Sequence, residues 1–187
     1  MPRFIDLSIP ITNSVISDPE VMRPKITYMT HENTWEQIAA FFPGLERKDL
    51  PGGEGWAVEM IELSTHNGTH MDAPWHYHST TNEGKISAPS IDEAPLDLFF
   101  RPGVKLNFSH LPHGHVVSAE EVQEALKDIG YQLKKFDIVL IQSGAIYGTA
   151  NFTDQGVGLG AHATLWLTEN GIEVVGTDAW SWDAPFS

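Results

Sequence analysis

Residues 66–78 hold the densest chemistry in the chain: His66, His70, Asp72, His76 and His78 lie within one short block and all occupy even positions. In an extended chain the side chains alternate between faces with period two. That parity predicts that His66, Gly68, His70 and Asp72 share a face. Gly68 opens a gap between the two imidazoles, where backbone can approach an ion, a water or a substrate. Pro74 breaks the ladder, so parity is not carried on to His76 and His78. Two imidazoles and one carboxylate form a borderline-to-hard donor set suited to Zn²⁺, Mn²⁺ or Fe²⁺, with positions left open for water and substrate. The plain alternative is a strand bearing polar surface histidines. Five ligand-type side chains of one parity, a glycine in the gap and no Lys or Arg inside the block favour a divalent metal, Mn or Zn.

The elements that must position this block are read from pattern. The first 30 residues are extended pieces interrupted by Pro10, Pro19 and Pro24. A short helix is predicted over 33–42, with Asn33 as N-cap, Glu36 completing a capping box, and Pro43-Gly44 as the stop. The charged stretch 45–55 reads as a loop, and 56–64 as a strand leading into the histidine block. Further on, 104–108 reads as a strand. Ser118 and Glu121 form a capping box before Val122, Ala125, Leu126 and Ile129, and Gly130 follows at the C′ position. Then come a buried strand at 137–143, a helix at 161–169 closed by Asn170-Gly171, and a short strand at 172–177. Strand, helix, strand, helix, strand at this spacing predicts βαβ units and a partly parallel sheet, hence one α/β domain.

Composition narrows the function. The chain has 187 residues, enough for one domain that buries about 70% of its unfolded surface. It has no cysteine, which excludes a disulfide framework, a thiolate nucleophile and a zinc finger. Eleven Lys+Arg against 25 Asp+Glu give a net charge of −14. Nucleic acid and anionic membranes attract basic patches, so neither is expected as a partner. No stretch reaches the roughly 20 apolar residues of a membrane span, and the N-terminus meets charge before any apolar run. A cytoplasmic protein is expected.

The string Ser64-Thr65-His66-Asn67-Gly68-Thr69-His70-Met71-Asp72-Ala73-Pro74-Trp75-His76 also resembles the His-x-Gly-Thr-His-x-Asp-x-Pro-x-His motif of the cyclase family of metal-dependent hydrolases, which includes bacterial kynurenine formamidase and isatin hydrolase. Weaker matches lie at Asp6-Leu7-Ser8, at 91–96, at 160–167 and at Val175-Gly176-Thr177-Asp178 with Ser181-Trp182-Asp183. The resemblance implies a swivelling β/β/α domain, a mixed sheet with flanking helices, usually as a homo-oligomer. It implies His66, His70 and Asp72 as metal ligands and His76 as the proton-transferring catalytic residue. It implies opening of an amide, formamide or lactone carbonyl by metal-activated water, on a small, aromatic substrate of the isatin or formylkynurenine kind.

Two departures stand against that pattern. The family continues past the point where this chain ends, with further polar ligands, so 1–187 is expected to be a single cyclase-like domain truncated at its C-terminus. Asn107 stands where an Asp is expected. Trp75, Trp180 and Trp182 are candidate walls of an aromatic substrate pocket, with plain packing as the alternative. His162, near the start of the second helix, is expected to be an ordinary surface histidine. Two other functions compete. His76-x-His78-x₄-Glu83 fits a cupin-type metal oxygenase, and an incomplete site fits a catalytically silent metal-binding subunit.

Overall fold

The computed structural model describes residues 5–185. The N-terminal reading made on Met1 to Phe4, and Phe186-Ser187, fall outside the described residues. The chain divides into two compact units, Met1–Met71 and Asp72–Ser187.

In the first unit, β1 (Lys25–Met29) and β2 (Val58–Glu62) pair antiparallel, with Lys25 opposite Glu62 and Met29 opposite Val58. Between them in sequence lies α1 (Trp35–Phe41). This helix starts two residues later than predicted, and Asn33 is not its cap. Asn33 instead accepts the Thr30 N–H, at 2.9 Å, and closes a turn. Thr34 precedes the helix, but its buried hydroxyl is spent on the carbonyls of Thr30 and Trp56, so it does not cap either. Gly55 makes that packing possible: a β-carbon there would sit 2.3 Å from the Thr34 hydroxyl.

The second unit opens with α2 (Pro74–Tyr77) and the hairpin β3 (Thr80–Thr81) and β4 (Ile86–Ser87). It continues through β5 (Gly103–Asn107), β6 (Val116–Val117), α3 (Ala119–Asp128), β7 (Ile138–Gln142), β8 (Gly158–Leu159), α4 (Ala161–Glu169) and β9 (Val174–Thr177). Strands β5, β7 and β9 form a parallel sheet in that order, the two βαβ crossovers that the spacing predicts. A second parallel pair joins β6 to β8. Parallel and antiparallel pairings thus both occur, in separate small sheets flanked by helices, and the class is α/β as expected.

The helix ends follow from sequence. Ser118 accepts the Glu121 N–H while the Glu121 carboxylate accepts the Ser118 N–H. At the other end Gly130 takes φ +63°. Its N–H reaches Lys127 O, and the Tyr131 N–H reaches Leu126 O, a Schellman closure. Gly171 and Ile172 repeat the closure on Thr168 and Leu167. The core is built from Val104, Leu106, Val139 and Ile141 of the sheet against Val122, Leu126, Ala163 and Leu167 of the helices. Ile129 is the C-cap residue, as Gly130 at C′ requires, but as the last apolar position of the α3 pattern it is corrected: it is 54% exposed rather than packed.

Two outcomes follow. Leu167→Ala should lower the unfolding free energy by about 2–5 kcal/mol, whereas Ile129→Ala should stay within about 0.5 kcal/mol; denaturant unfolding of both checks this. The Ser118 N–H holds the Glu121 carboxyl below its ordinary value of 4.5. That contribution is therefore present above about pH 4.5 and is lost as the pH falls through the depressed value. In Glu121→Gln this part of the acid-side loss of stability should vanish, read as thermal midpoint against pH.

Candidate metal centre

The segment 64–70 is a turn rather than the extended ladder that the parity argument assumed. The Asn67 N–H reaches Ser64 O at 3.1 Å, and Asn67 Oδ1 accepts the Ser64 N–H at 2.7 Å. Gly68 stands at φ +66°, a conformation that costs an L-residue with a side chain about 1–2 kcal/mol. The Asn67 side chain bonds back to the main chain, and the glycine reverses its direction. Period two therefore fails here, yet the two imidazoles still meet. His66 Nδ1 and His70 Nε2 are 3.3 Å apart, with ring planes at 88°.

The tautomer of His70 follows from its other nitrogen. Nδ1 lies 2.9 Å from Gly68 O. A carbonyl only accepts, so Nδ1 carries the proton in this bond; in the neutral ring that leaves the lone pair on Nε2, the nitrogen facing His66. Such a bond to the second ring nitrogen is what orients a metal-ligating histidine. Two nitrogens held at about 2.0–2.1 Å from one tetrahedral ion stand about 3.3–3.4 Å apart, so the His66–His70 spacing fits a shared ion.

The residues between the two histidines tie the turn to the N-terminal segment. Asn67 is buried, and its Nδ2 donates to Asp18 Oδ2 at 2.7 Å and to Met22 O at 2.8 Å. A β-carbon on Gly68 would stand 3.0 Å from Ile11. Thr69 Oγ1 accepts the Ile9 N–H at 3.0 Å and donates to Leu7 O at 3.4 Å.

Downstream, Pro74 occupies the first turn of α2, where its missing N–H costs nothing. This turn presents His76 beside Asp72, with Nε2 3.9 Å from Asp72 Oδ2. The Tyr77 hydroxyl donates to the same Asp72 oxygen at 3.3 Å. Partial burial of that hydroxyl, and next the Asp72 charge, raise the Tyr77 phenol above its ordinary range. It therefore remains a proton donor to the carboxylate throughout the neutral range. Along the stretch 66–76, one ligand atom each from His66, Asp72 and His76 lie within 4.8 Å of one another, the grouping of metal-ligand type found among the described residues; it takes in His76, expected as the proton carrier, and not His70, expected as a ligand.

The remaining expected residues scatter. Trp182 packs against the core and donates its indole N–H to Thr164 Oγ1 at 2.9 Å. Trp75 is exposed, with its backbone N–H on Pro89 O. Trp180 lines an open cleft of about 280 Å³ with Gln155, Ser181 and Asp183. Asp183 also bears electrostatically on Tyr77, which puts that cleft in the neighbourhood of the Asp72–Tyr77 pair. His162 is exposed on α4, as expected. Asn107 Oδ1 accepts the N–H and hydroxyl of Ser109, so it closes the turn after β5. The cupin-type ligand pattern is not assembled: Glu83 is exposed beside Lys85 in the β3–β4 hairpin, and His78 Nδ1 accepts the Thr80 N–H. Sequence reasoning missed Asp18 and Tyr77. Tyr77 lies inside the block and could have been found there, whereas nothing around Asp18 distinguishes it.

An α/β fold that carries a two-histidine, one-carboxylate donor set on a glycine turn places the chain among proteins with a candidate divalent-metal centre. The family model described as "Putative cyclase" matches residues 5–184, and the chain belongs to that family. It is 29% identical over 152 residues to kynurenine formamidase of Bordetella petrii, covering 76% of this chain and 64% of that one. It is 27% identical over 136 residues to Cyclase-like protein 3 of Arabidopsis thaliana, covering 72% and 48%. The chain thus spans about half to two thirds of the length of these two relatives. The fold is similar to isatin hydrolase A from Labrenzia aggregata, solved bound to benzyl benzoate (TM-score 0.66, 20% identity, 98% of this chain and 70% of that one). It is equally similar to a crystal structure described as a novel cyclase (TM-score 0.68, 18% identity, 96% and 67%).

Gly68→Ala should lose about 1–2 kcal/mol from the left-handed backbone alone, and more from the Ile11 contact. Thermal unfolding of the metal-free protein should show the loss, and a midpoint equal to that of the parent would contradict the assigned turn.

Proposed function

We propose that the chain is a metal-dependent hydrolase that opens an amide, formamide or lactone carbonyl of a small aromatic substrate. The observation that carries this reading is the convergence of His66 Nδ1 and His70 Nε2, 3.3 Å apart, inside the family's own motif. The names of its relatives, kynurenine formamidase and isatin hydrolase, support a substrate with a carbonyl–nitrogen bond next to an aromatic ring. His66, His70 and Asp72 hold the ion, Mn²⁺ or Zn²⁺. When bound, a divalent ion lowers the pKa of water toward 7 and polarises a carbonyl.

The chain's own groups do the rest. Gly68 O fixes the His70 tautomer, and Tyr77 anchors Asp72 by its hydroxyl. His76 takes a proton from the attacking water, whose oxygen bonds to the carbonyl carbon. The carbonyl carbon's bond to nitrogen, or to the ring oxygen of a lactone, breaks, and His76 returns the proton to that leaving atom; an imidazole can both accept and donate a proton. Trp180 and Trp75 supply aromatic surface for the substrate. Trp182 acts from the core, by fixing the segment that carries Trp180.

Residues 1–187 act as one cyclase-like domain in this reading, as a cytoplasmic homo-oligomer. Exposed Tyr28, Met60, Ile61 and Leu63 around the β1–β2 ribbon support self-association, since apolar surface of this kind marks contact faces. Among the described residues no helix is long and apolar enough to cross a membrane.

The test is hydrolysis of an aryl formamide, an isatin-like lactam and an aryl lactone by the protein loaded with Mn²⁺ or Zn²⁺. Turnover of at least one is expected. His76→Ala should reduce it by about 10²–10⁴-fold while metal content stays near that of the parent. Loss of metal in His76→Ala would make His76 a ligand and overturn its proton-transfer role. Bound metal with no turnover on any of the three would favour the silent subunit.

A further inference from the structure

We infer that Asp18 is a positioning residue for the metal-binding turn and acts through Asn67; this rests on the metal reading above. Asp18 is 6% exposed and Asn67 4%. Their side chains meet at 2.7 Å across 49 residues of sequence. A buried carboxylate is costly without hydrogen bonds, and the bond it accepts here is charge-assisted, so it is among the stronger kinds.

Asn67 has little freedom left. Nδ2 is shared between Asp18 and Met22 O, and Oδ1 is fixed on the Ser64 N–H. These three bonds set the side chain of the residue between His66 and Gly68. They therefore set the path of the turn that brings His66 Nδ1 to 3.3 Å from His70 Nε2. The Arg23 guanidinium holds the other end of this arrangement by donating Nε–H to Asp18 O at 3.0 Å. Asp18 touches no substrate and offers no atom to the ion. It decides whether the two imidazoles are already converged when the ion arrives, and that preorganisation is read as affinity. Groups bonded directly to metal ligands are worth about 10–100-fold in metal affinity; Asp18 acts one residue further out, so its effect is expected at the lower end of that range.

The experiment is titration of the full chain, freed of metal, with Mn²⁺ alone and with Zn²⁺ alone, followed by calorimetry. Circular dichroism and thermal unfolding of each metal-free variant run alongside. Asp18→Ala should bind about 10-fold more weakly at a temperature where it is fully folded. Asp18→Asn keeps an oxygen that can accept from Asn67 and should recover most of that loss. Asp18→Ala combined with Asn67→Ala should bind no more weakly than Asn67→Ala alone, because both remove one path. Should Asn67→Ala fail to fold, the Asp18→Ala and Asp18→Asn pair carries the test by itself. Parental affinity in Asp18→Ala, a lowered thermal midpoint with unchanged affinity, or equal loss in Asp18→Ala and Asp18→Asn would overturn the inference. Failure of the parent chain to bind either ion would overturn the metal reading beneath it.

Discussion

Outside a helix, a five-residue span points two imidazoles at one place by turning its backbone, and here that turn depends on Gly68. Its φ of +66° is a conformation that other residues reach only at a cost. With the glycine in place, Asn67 closes on Ser64 and His70 closes on the Gly68 carbonyl. Each bond is local and modest, about 0.5–1.5 kcal/mol net. Together they leave one ring nitrogen of each histidine aimed at the other. The chemistry of the site is thus settled mainly by backbone geometry, with the imidazoles carried along.

The motif's intervening residues then take on a clear division of labour. His66 and His70 supply donors, whereas Asn67, Gly68 and Thr69 fasten the turn to residues 7–22. A motif that looks like a list of ligands is half scaffold. The same holds downstream. Pro74 starts the short helix that brings His76 beside Asp72, and Tyr77 donates its hydroxyl to the same carboxylate oxygen. A phenol stays protonated over the pH range in which a histidine changes charge, so the support persists there. At the ends of the parallel strands a comparable brace ties Ser143 to Asp178, through the Ser143 N–H and hydroxyl at 2.7 and 2.6 Å. That brace holds the start of the segment from which Trp180 reaches its cleft.

Much of this was legible in sequence where a single local rule acts alone. The Ser118–Glu121 box, the Gly130 and Gly171 closures and the helix at 161–169 were all readable, because caps and left-handed glycines are decided within a few residues. Legibility failed where a side chain had two claimants. Asn33 looks like a helix cap but closes a turn, and Thr34, which stands at the cap position, has its hydroxyl consumed by the Thr30 and Trp56 carbonyls. The histidine block failed for a related reason. Alternating residue types imply an extended chain only if no side chain bonds back to the backbone, and Asn67 does. Asp18 was invisible because its partner lies 49 positions away. The block's residue types single out the neighbourhood but not the donor set: the group that assembles is His66, Asp72 and His76, with His76 where His70 was expected.

The central claim is that the turn at 66–72 grips a divalent cation through His66, His70 and Asp72. Anomalous diffraction from crystals equilibrated with Mn²⁺ tests it most directly. The account predicts one anomalous peak within bonding reach, about 2.0–2.3 Å, of a nitrogen on each histidine and a carboxylate oxygen of Asp72. No peak there under saturating metal, or a peak bound by other residues, would contradict it.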